Sequence, residues 1–347
     1  MSSYSETRLD YLEFNDNLKF SNLPLAIDDM SLAFHLGIRN RTLWWLINSR
    51  DTADSDKVGY KVFSIPKRGN NKGRRAIQNP GKYLKSVQRL LLSKFLEPFP
   101  VGPHVGAYIP ERSCMDTARQ HIGRGVIISM DIKDFFPSVK RSMVRRLFLH
   151  AGYNHFVASL ISSLVTYKNF VPQGAPTSGL IANLVADFLF DQAIIEDLKS
   201  IDTDWCYTRY SDDIDISHPN VQTKENTQRV IRIVEQRLKE ANFKTNYKKT
   251  RVEPHTRRQK VLGVVVNEKL SIPRYEYARL RCLIHNCLMH GFESQYKRAG
   301  QMSADGLRSH VRGKLSYLKQ IDSKKAACLK EKFDIAEEAN KNSGETQ

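Results

Sequence analysis

The chain is poor in cysteine and has no uninterrupted apolar run near the roughly 18 residues that a membrane-crossing helix needs. It also lacks a basic-then-apolar start of the secretory kind. The five cysteines, Cys114, Cys206, Cys282, Cys287 and Cys328, are odd in number and scattered, which argues against a disulfide framework. These absences predict a cytoplasmic protein with no membrane partner. Acid is missing from one long stretch: between Lys57 and Arg89 there are ten Lys or Arg and no Asp or Glu.

What is present is a chain of 347 residues with a formal net charge of +17, long enough to bury a sizeable core and to hold two or three subdomains. Such a charge is unusual for an enzyme of small neutral metabolites and points to a polyanion, nucleic acid first. In the acid-free stretch, Tyr60–Pro66 and Arg74–Gln78 read as strands joined by a basic, glycine-containing tip, Lys67 to Gly73. Ten unpaired cations repel one another, so a phosphate partner explains them better than a solvated face does.

Between two short alternating segments, Trp205–Arg209 and Ile214–Ser217, stands Tyr210-Ser211-Asp212-Asp213. This reads as a hairpin whose turn carries the acids. Two adjacent carboxylates repel each other. Either this is an ordinary acidic turn, Asp being a good turn former, or a cation sits beside it. Upstream, the apolar strand Val126–Met130 delivers Asp131 at its end, followed by Ile132, Lys133, Asp134, Phe135, Phe136 and Pro137. Two strands presenting acid at one end of a sheet make a hard, oxygen-lined site that suits Mg²⁺. Two such ions about 3.5–4 Å apart can support an in-line phosphoryl displacement. From spacing alone Phe136 could equally be a core aromatic beside Phe135.

The Asp strand ending in Phe-Phe, then Pro172-Gln173-Gly174-Ala175-Pro176-Thr177-Ser178, then Tyr-Ser-Asp-Asp resembles the ordered motif series of reverse transcriptases, most closely the bacterial retron enzymes. The resemblance covers residues 30 to 320 approximately. It implies an α+β, right-hand polymerase. Residues 1–55 would form an N-terminal helical extension and 56–125 the fingers, with 153–178 shared between fingers and palm. The palm, an antiparallel sheet backed by helices, would take 126–265, and a helical thumb 266–347.

By the same resemblance, Asp131, Asp212 and Asp213, with the carbonyl of Ile132, hold two Mg²⁺, and Lys249 is the acid for the leaving group or a phosphate contact. Lys67, Arg75, Lys133, Asp134, Phe135, Phe136, Gln173 and Gly174 are expected around the incoming deoxynucleotide. Phe136, five residues after Asp131, is the ring that leaves no room for a 2′-hydroxyl. Lys72, Arg74, Tyr210, Arg274, Arg279 and Arg281 are expected to meet nucleic acid.

Retron enzymes commonly carry Asn-Ala-x-x-His and Val-Thr-Gly. Here Ala118, His121, Val261 and Gly263 match, while Thr117 and Leu262 depart. The implied partners are a cognate structured noncoding RNA and its DNA copy (msDNA), deoxynucleoside triphosphates and a separately encoded effector in defence against phage. Three alternatives stand beside this reading: another bacterial defence reverse transcriptase, a group II intron-like enzyme, for which the chain ends early, and a catalytically silent nucleic-acid-binding scaffold.

Some local readings concern packing. Ser31 to Ile47 reads as two short helices around Gly37, either a DNA-reading pair or an N-terminal packing element. Ser178 is expected to cap the helix after it, whose Ile181, Leu184, Val185, Phe188, Ile195 and Leu198 recur at helical spacing. Val261–Val266 and Leu270–Pro273 are expected to pair around Asn267-Glu268. Cys282, His285, Cys287 and His290 invite a zinc reading, but one helix separates the end members by about 12 Å, too far for ligands about 2.0–2.3 Å from one ion.

Overall fold

A computed structural model describes residues 18–20, 22–51, 57–66 and 73–342, with side chains to residue 339. Lys67 and Lys72, and with them the tip of the basic hairpin, lie outside the described residues. The chain falls into two compact units. Met1–Arg112, Ser129–Asp215 and Thr223–Arg251 make the first; Ser113–Ile128, Ile216–Gln222 and Val252–Gln347 make the second. Residues 113–128 and 252–265 thus fall in the same unit as the C-terminal helices.

In the first unit the helices Asp29–His35 and Asn40–Ser49 confirm the expected pair. Asp28 and Ser31 form a reciprocal cap, and Gly37 takes the left-handed φ of 63° that the turn requires. Leu32, Leu36, Leu43 and Leu46 are fully buried, while Asn154 and Tyr153 donate side-chain hydrogen bonds to the carbonyls of Ile27 and Pro24. The pair is therefore a packing element.

Strands β1, Tyr60–Pro66, and β2, Arg74–Pro80, form an antiparallel hairpin in the register Tyr60 opposite Pro80 and Pro66 opposite Arg74. Among its described residues only the base is buried. There the Gln88 amide donates to the Tyr60 hydroxyl at 2.8 Å and to the Leu164 carbonyl at 2.9 Å. Burial raises the Tyr60 pKa well above the usual phenol range, so the hydroxyl stays protonated.

The main sheet contains β3, Val126–Lys133; β4, Cys206–Tyr210; β5, Asp213–His218; β6, Lys244–Thr245; and β7, Arg251–Pro254. Its order is β4-β5-β3-β6, with β7 also paired to β3. Every β3 residue but Lys133 is buried, as its unbroken apolar run requires. The helices Ser178–Ala186 and Gln192–Ile201 are joined by a π-helical turn, Asp187–Asp191. By length and mean hydropathy (1.4) this 24-residue rod could cross a membrane, yet 67% of the apolar window is buried in protein, so it is a core helix. Ser178 is the first helical residue rather than the cap. Thr177 takes the cap position without a side-chain bond, because the small-residue loop enters the helix already in helical φ and ψ.

That rod carries the most strongly charged point of the core. Arg209 of β4 is fully buried, and its guanidinium forks onto Asp191, also fully buried, at 2.7–3.0 Å. Tyr207 donates to Asp191 at 2.6 Å, and Arg209 also donates to the side chain of Asn183 at 2.8 Å. Burial works against the guanidinium charge and Asp191 outweighs it, so the Arg209 pKa is raised. His104, Asp187 and Asp191 offer ligand atoms within 4.8 Å of one another, but Arg209 and Tyr207 occupy Asp191 and His104 bonds Asp187 at 2.8 Å. The cluster is a closed polar network rather than a metal site.

In the second unit β8, Lys260–Val261, and β9, Val264–Val265, turn on Leu262 and Gly263, whose φ values are 51° and 85°. The expected continuous strand is thus broken at Gly263 by a tight turn in which both central residues need positive φ, and Val265 then bridges Ser271. Helices Arg274–Gln295, Ala304–Ile321 and Ser323–Asn342 enclose a core of Ile284, Cys287, Phe292, Leu307, Val311, Leu329 and Phe333. Cys287 is buried there while Cys282, His285 and His290 are exposed, so these four residues do not converge on one ion.

The buried pair makes a clear prediction. Asp191→Ala leaves Arg209 charged and unpaired, and should cost about 3–5 kcal/mol of stability, read as a lowered urea midpoint. A loss below about 1 kcal/mol would show that water reaches the pair.

Candidate active site

Asp131 lies two residues before the end of the buried strand β3, which runs on to Lys133 rather than stopping at the acid, and is itself 4% exposed. Its Oδ1 accepts from the Asn246 amide at 2.9 Å, its Oδ2 accepts from Lys249 Nζ, and its carbonyl accepts from the Asn246 N–H at 2.8 Å. The next residue ties it to the hairpin turn: the Ile132 N–H donates to the Asp212 carbonyl at 2.8 Å. Asp212 and Asp213 stand where β4 passes into β5, after Ser211 at φ 61°. The Ser211 carbonyl accepts from Arg209 at 3.1 Å, so the buried network reaches the acidic turn directly.

The three acids feel one another. Partial burial, then Asp131, raises the Asp212 pKa against Lys249 and Arg75. Burial, then Asp212, then Asp131, raises Asp213 to about 6. The Asp213 side chain still has an open face, so solvent screening tempers this shift. Partial desolvation of Lys249 is outweighed by its bond to Asp131 and by the fields of Asp212 and Asp213, and its pKa is raised. Asp215, on the same hairpin, accepts from Ser129 at 2.6 Å inside the core and stands apart from this group.

A cavity of about 470 Å³ is lined among others by Arg75, Phe136, Gln173 and Gly174, and Arg75 links it to the acids, its charge acting to lower the Asp212 pKa. It separates the two phenylalanines. Phe135 is buried against Phe243, with the Arg209 guanidinium 5.7 Å from its ring centre; Phe136 faces the cavity. Gln173 is pinned to β2 by its backbone: the Gln78 N–H donates to its carbonyl, and its own N–H donates to the Gln78 side chain, both at 2.7 Å. Gly174, at φ 122°, lies so close to β2 that a Cβ would come within 3.0 Å of Ile77. Glycine is required here by conformation and by space.

A chain with this order of acids, aromatic pair and glycine loop can be set against known proteins. Residues 65–266 match the reverse transcriptase (RNA-dependent DNA polymerase) family. The chain is 30% identical over 317 residues to the retron Ec86 reverse transcriptase of Escherichia coli, covering 90% of this chain and 91% of that one. It is 32% identical over 288 residues to the retron Mx65 reverse transcriptase of Myxococcus xanthus, covering 78% of this chain and 63% of that protein's length. With the retron Mx162 enzyme of the same organism it shares 30% identity over 287 residues, or 74% of this chain and 58% of that one.

The chain belongs to the retron-type reverse transcriptases.

Other expected residues of this reverse transcriptase fall into place unevenly. Arg75 and Arg74 alternate along β2. Arg75 lines the cavity, whereas Arg74 bonds Ser64 across the hairpin at 2.7 and 2.8 Å. Lys133, the last residue of β3, and Asp134 just after it, at φ 48°, are exposed, and neither lines the cavity. Tyr210 is half-buried at the end of β4. In the second unit Arg274, Arg279 and Arg281 are exposed on one helix.

The retron motif residues have a packing role. Ala118 and Val261 share a core with Met115, Ile127 and Val264, and Gly263 makes the turn beside them. His121 is fully buried, bonded to Ser217 at 2.7 Å, and burial depresses its pKa to about 3, so it is neutral. Sequence reasoning missed Arg209, Asp191, Asn183, Asn246 and Tyr108. Asn246, next to the lysine motif, had a local signal in its position; the others had none.

The raised Asp213 pKa carries a sign. Its folded value near 6 exceeds the ordinary 3.8, so the stability that it contributes is present below about pH 4 and is lost as pH rises through about 6. Asp213→Asn should therefore raise the melting temperature of the metal-free protein at pH 8 and not at pH 4. Wild type and variant melting alike at pH 8 would mean that the carboxylates do not strain one another.

Proposed function

We propose that this protein is the RNA-directed DNA polymerase of a retron, copying part of a cognate structured noncoding RNA into branched, RNA-linked single-stranded DNA (msDNA) primed from a guanosine 2′-hydroxyl. The observation that carries the reading is a single one. Three carboxylates near adjoining strand ends, with Lys249 among them, are linked through Arg75 to a nucleotide-sized cavity walled also by Phe136 and Gly174. The retron names of the relatives narrow the substrate to a structured RNA, and the net charge of +17 suits a nucleic-acid partner. The same reading carries a cytoplasmic role in defence against phage, with a separately encoded effector protein.

The residues fit a pair of divalent cations. The donor set is all oxygen, which selects a hard ion such as Mg²⁺, and the mutual repulsion at Asp213 is the kind that a cation relieves. Asp131, Asp212, Asp213 and the Ile132 carbonyl would hold the ions, whose chemistry is to acidify the primer hydroxyl and offset charge on the departing pyrophosphate. Arg75 would neutralise triphosphate oxygens. Phe136 would lie under the sugar and exclude a 2′-hydroxyl. Lys249, held on Asp131 and kept protonated by the three acids, would give its proton to the leaving group or hold a phosphate.

Asp212→Asn should lower primer extension on an RNA template by on the order of 10³-fold while leaving RNA binding intact. The nucleic acid copurifying from cells that carry the native flanking DNA should be a discrete single-stranded DNA joined to RNA by a debranchable 2′ linkage, absent from Asp212→Asn. Unbranched DNA would move the enzyme to another defence class or to a group II intron-like role. RNA alone, identical in both forms, would mark a silent scaffold.

A further inference from the structure

The cavity has one wall that the motif series does not contain. Tyr108 lines it together with Gly174 and Pro176, and the residue is 54% exposed. An exposed ring usually reflects loose packing, but Tyr108 is held in place. Its backbone has φ 56°, a left-handed conformation that a tyrosine adopts only where its surroundings impose it.

Those surroundings can be named. Val105 pairs in parallel with Arg209 of β4, the Arg209 N–H donating to the His104 carbonyl at 2.8 Å and the Gly106 N–H to the Arg209 carbonyl at 2.9 Å. Arg112 gathers the carbonyls of Gly102 and Val105 at 2.6 and 2.7 Å. The Asn183 amide donates to the Ala107 carbonyl at 2.5 Å. The segment carrying Tyr108 is thus fastened to the same buried network that supports the acidic turn.

The ring then meets two partners. It lies flat on Gly179, where an added Cβ would come within 2.4 Å of the Tyr108 ring. Its edge meets Phe136, centroids 6.2 Å apart and planes at 69°. Phe136 therefore touches two rings, Phe135 in the core at 5.6 Å and Tyr108 at the cavity. Phe135 is buried in the core, so Tyr108 is the contact that a substitution can remove without opening the core.

We propose that Tyr108 is a positioning residue for sugar selection: seated on Gly179, it holds the Phe136 ring where a ribonucleotide 2′-hydroxyl would have to fit. This rests on reading Phe136 as the sugar gate. An edge-to-face contact of this kind restricts the partner ring without contributing a bond to the nucleotide. Its loss should change discrimination rather than chemistry.

The test is single-nucleotide incorporation on a defined RNA template with Mg²⁺, reading kcat/KM for each deoxynucleotide and its ribonucleotide. Tyr108→Ala should raise the ribo-to-deoxy ratio by roughly three- to tenfold, the worth of one such ring contact. Tyr108→Phe, which keeps the ring, should behave as wild type. Gly179→Ala, which leaves Tyr108 chemically intact and displaces its ring, should follow Tyr108→Ala and serves in its place if that variant does not fold. Combining Tyr108→Ala with Phe136→Ala should add nothing to Phe136→Ala alone.

If Phe136→Ala admits ribonucleotides while Tyr108→Ala and Gly179→Ala leave the ratio at its wild-type value, the proposal is overturned and the gate stands. An equal rise in KM for both sugars in Tyr108→Ala also overturns it, by making the ring a plain wall. A ratio unchanged in Phe136→Ala removes the gate reading and the proposal together.

Discussion

A guanidinium buried without water must be paired, and Arg209 has its pairing on a different element from its own. Asp191 and Asn183 come from the helical rod that starts at the Gln173-Gly174 loop; Arg209 lies two residues before Ser211, whose carbonyl it also holds. One charge thereby joins the loop that would meet a nucleotide to the turn that carries two acids. Neither can shift without leaving a polar group unsatisfied in the core. The π-helical turn at Asp187–Asp191 belongs to this arrangement, since Asp191, which pairs with Arg209, is its last residue.

The acidic turn itself is the opposite case, an unfavourable arrangement that the backbone enforces. Ser211 accepts a left-handed φ, Asp213 titrates near 6, and Lys249 supplies one cation to three carboxylates. A site held this way has charge to spare for a ligand of opposite sign, whereas the network around Arg209 has none. This separates a binding site from a structural ion cluster when both contain paired acids, and it is why His104, Asp187 and Asp191 read as structure.

The hairpin β1–β2 shows how little burial an element of this enzyme needs. Val62, Phe63 and Ile65 are each more than 40% exposed, and the described part of the hairpin is fastened near its base, through Tyr60 to Gln88 and through Gln78 to Gln173. Two strands alone are marginal in water, so these buried bonds fix its place beside the cavity. The second unit depends instead on ordinary helix packing around Ile284, Phe292 and Leu307.

By itself the sequence determined what depends on neighbours in the chain: the acid-bearing hairpin turn, the apolar strand that carries Asp131, and the two N-terminal helices about Gly37. Alternation, turn chemistry and capping act over a few residues and are written locally, and the ordered motifs carried the family with them. The tertiary structure decided the rest. It chose Phe136 over Phe135 for the cavity, broke the strand at Gly263, put Ala118 and Val261 in one core, and set Tyr108 against Phe136. Those outcomes depend on contacts between residues far apart in the chain. A lone Arg or Tyr in an apolar segment has no local pattern to show whether it will face solvent, pair in the core or line a site, because its partner is brought to it only when the chain folds.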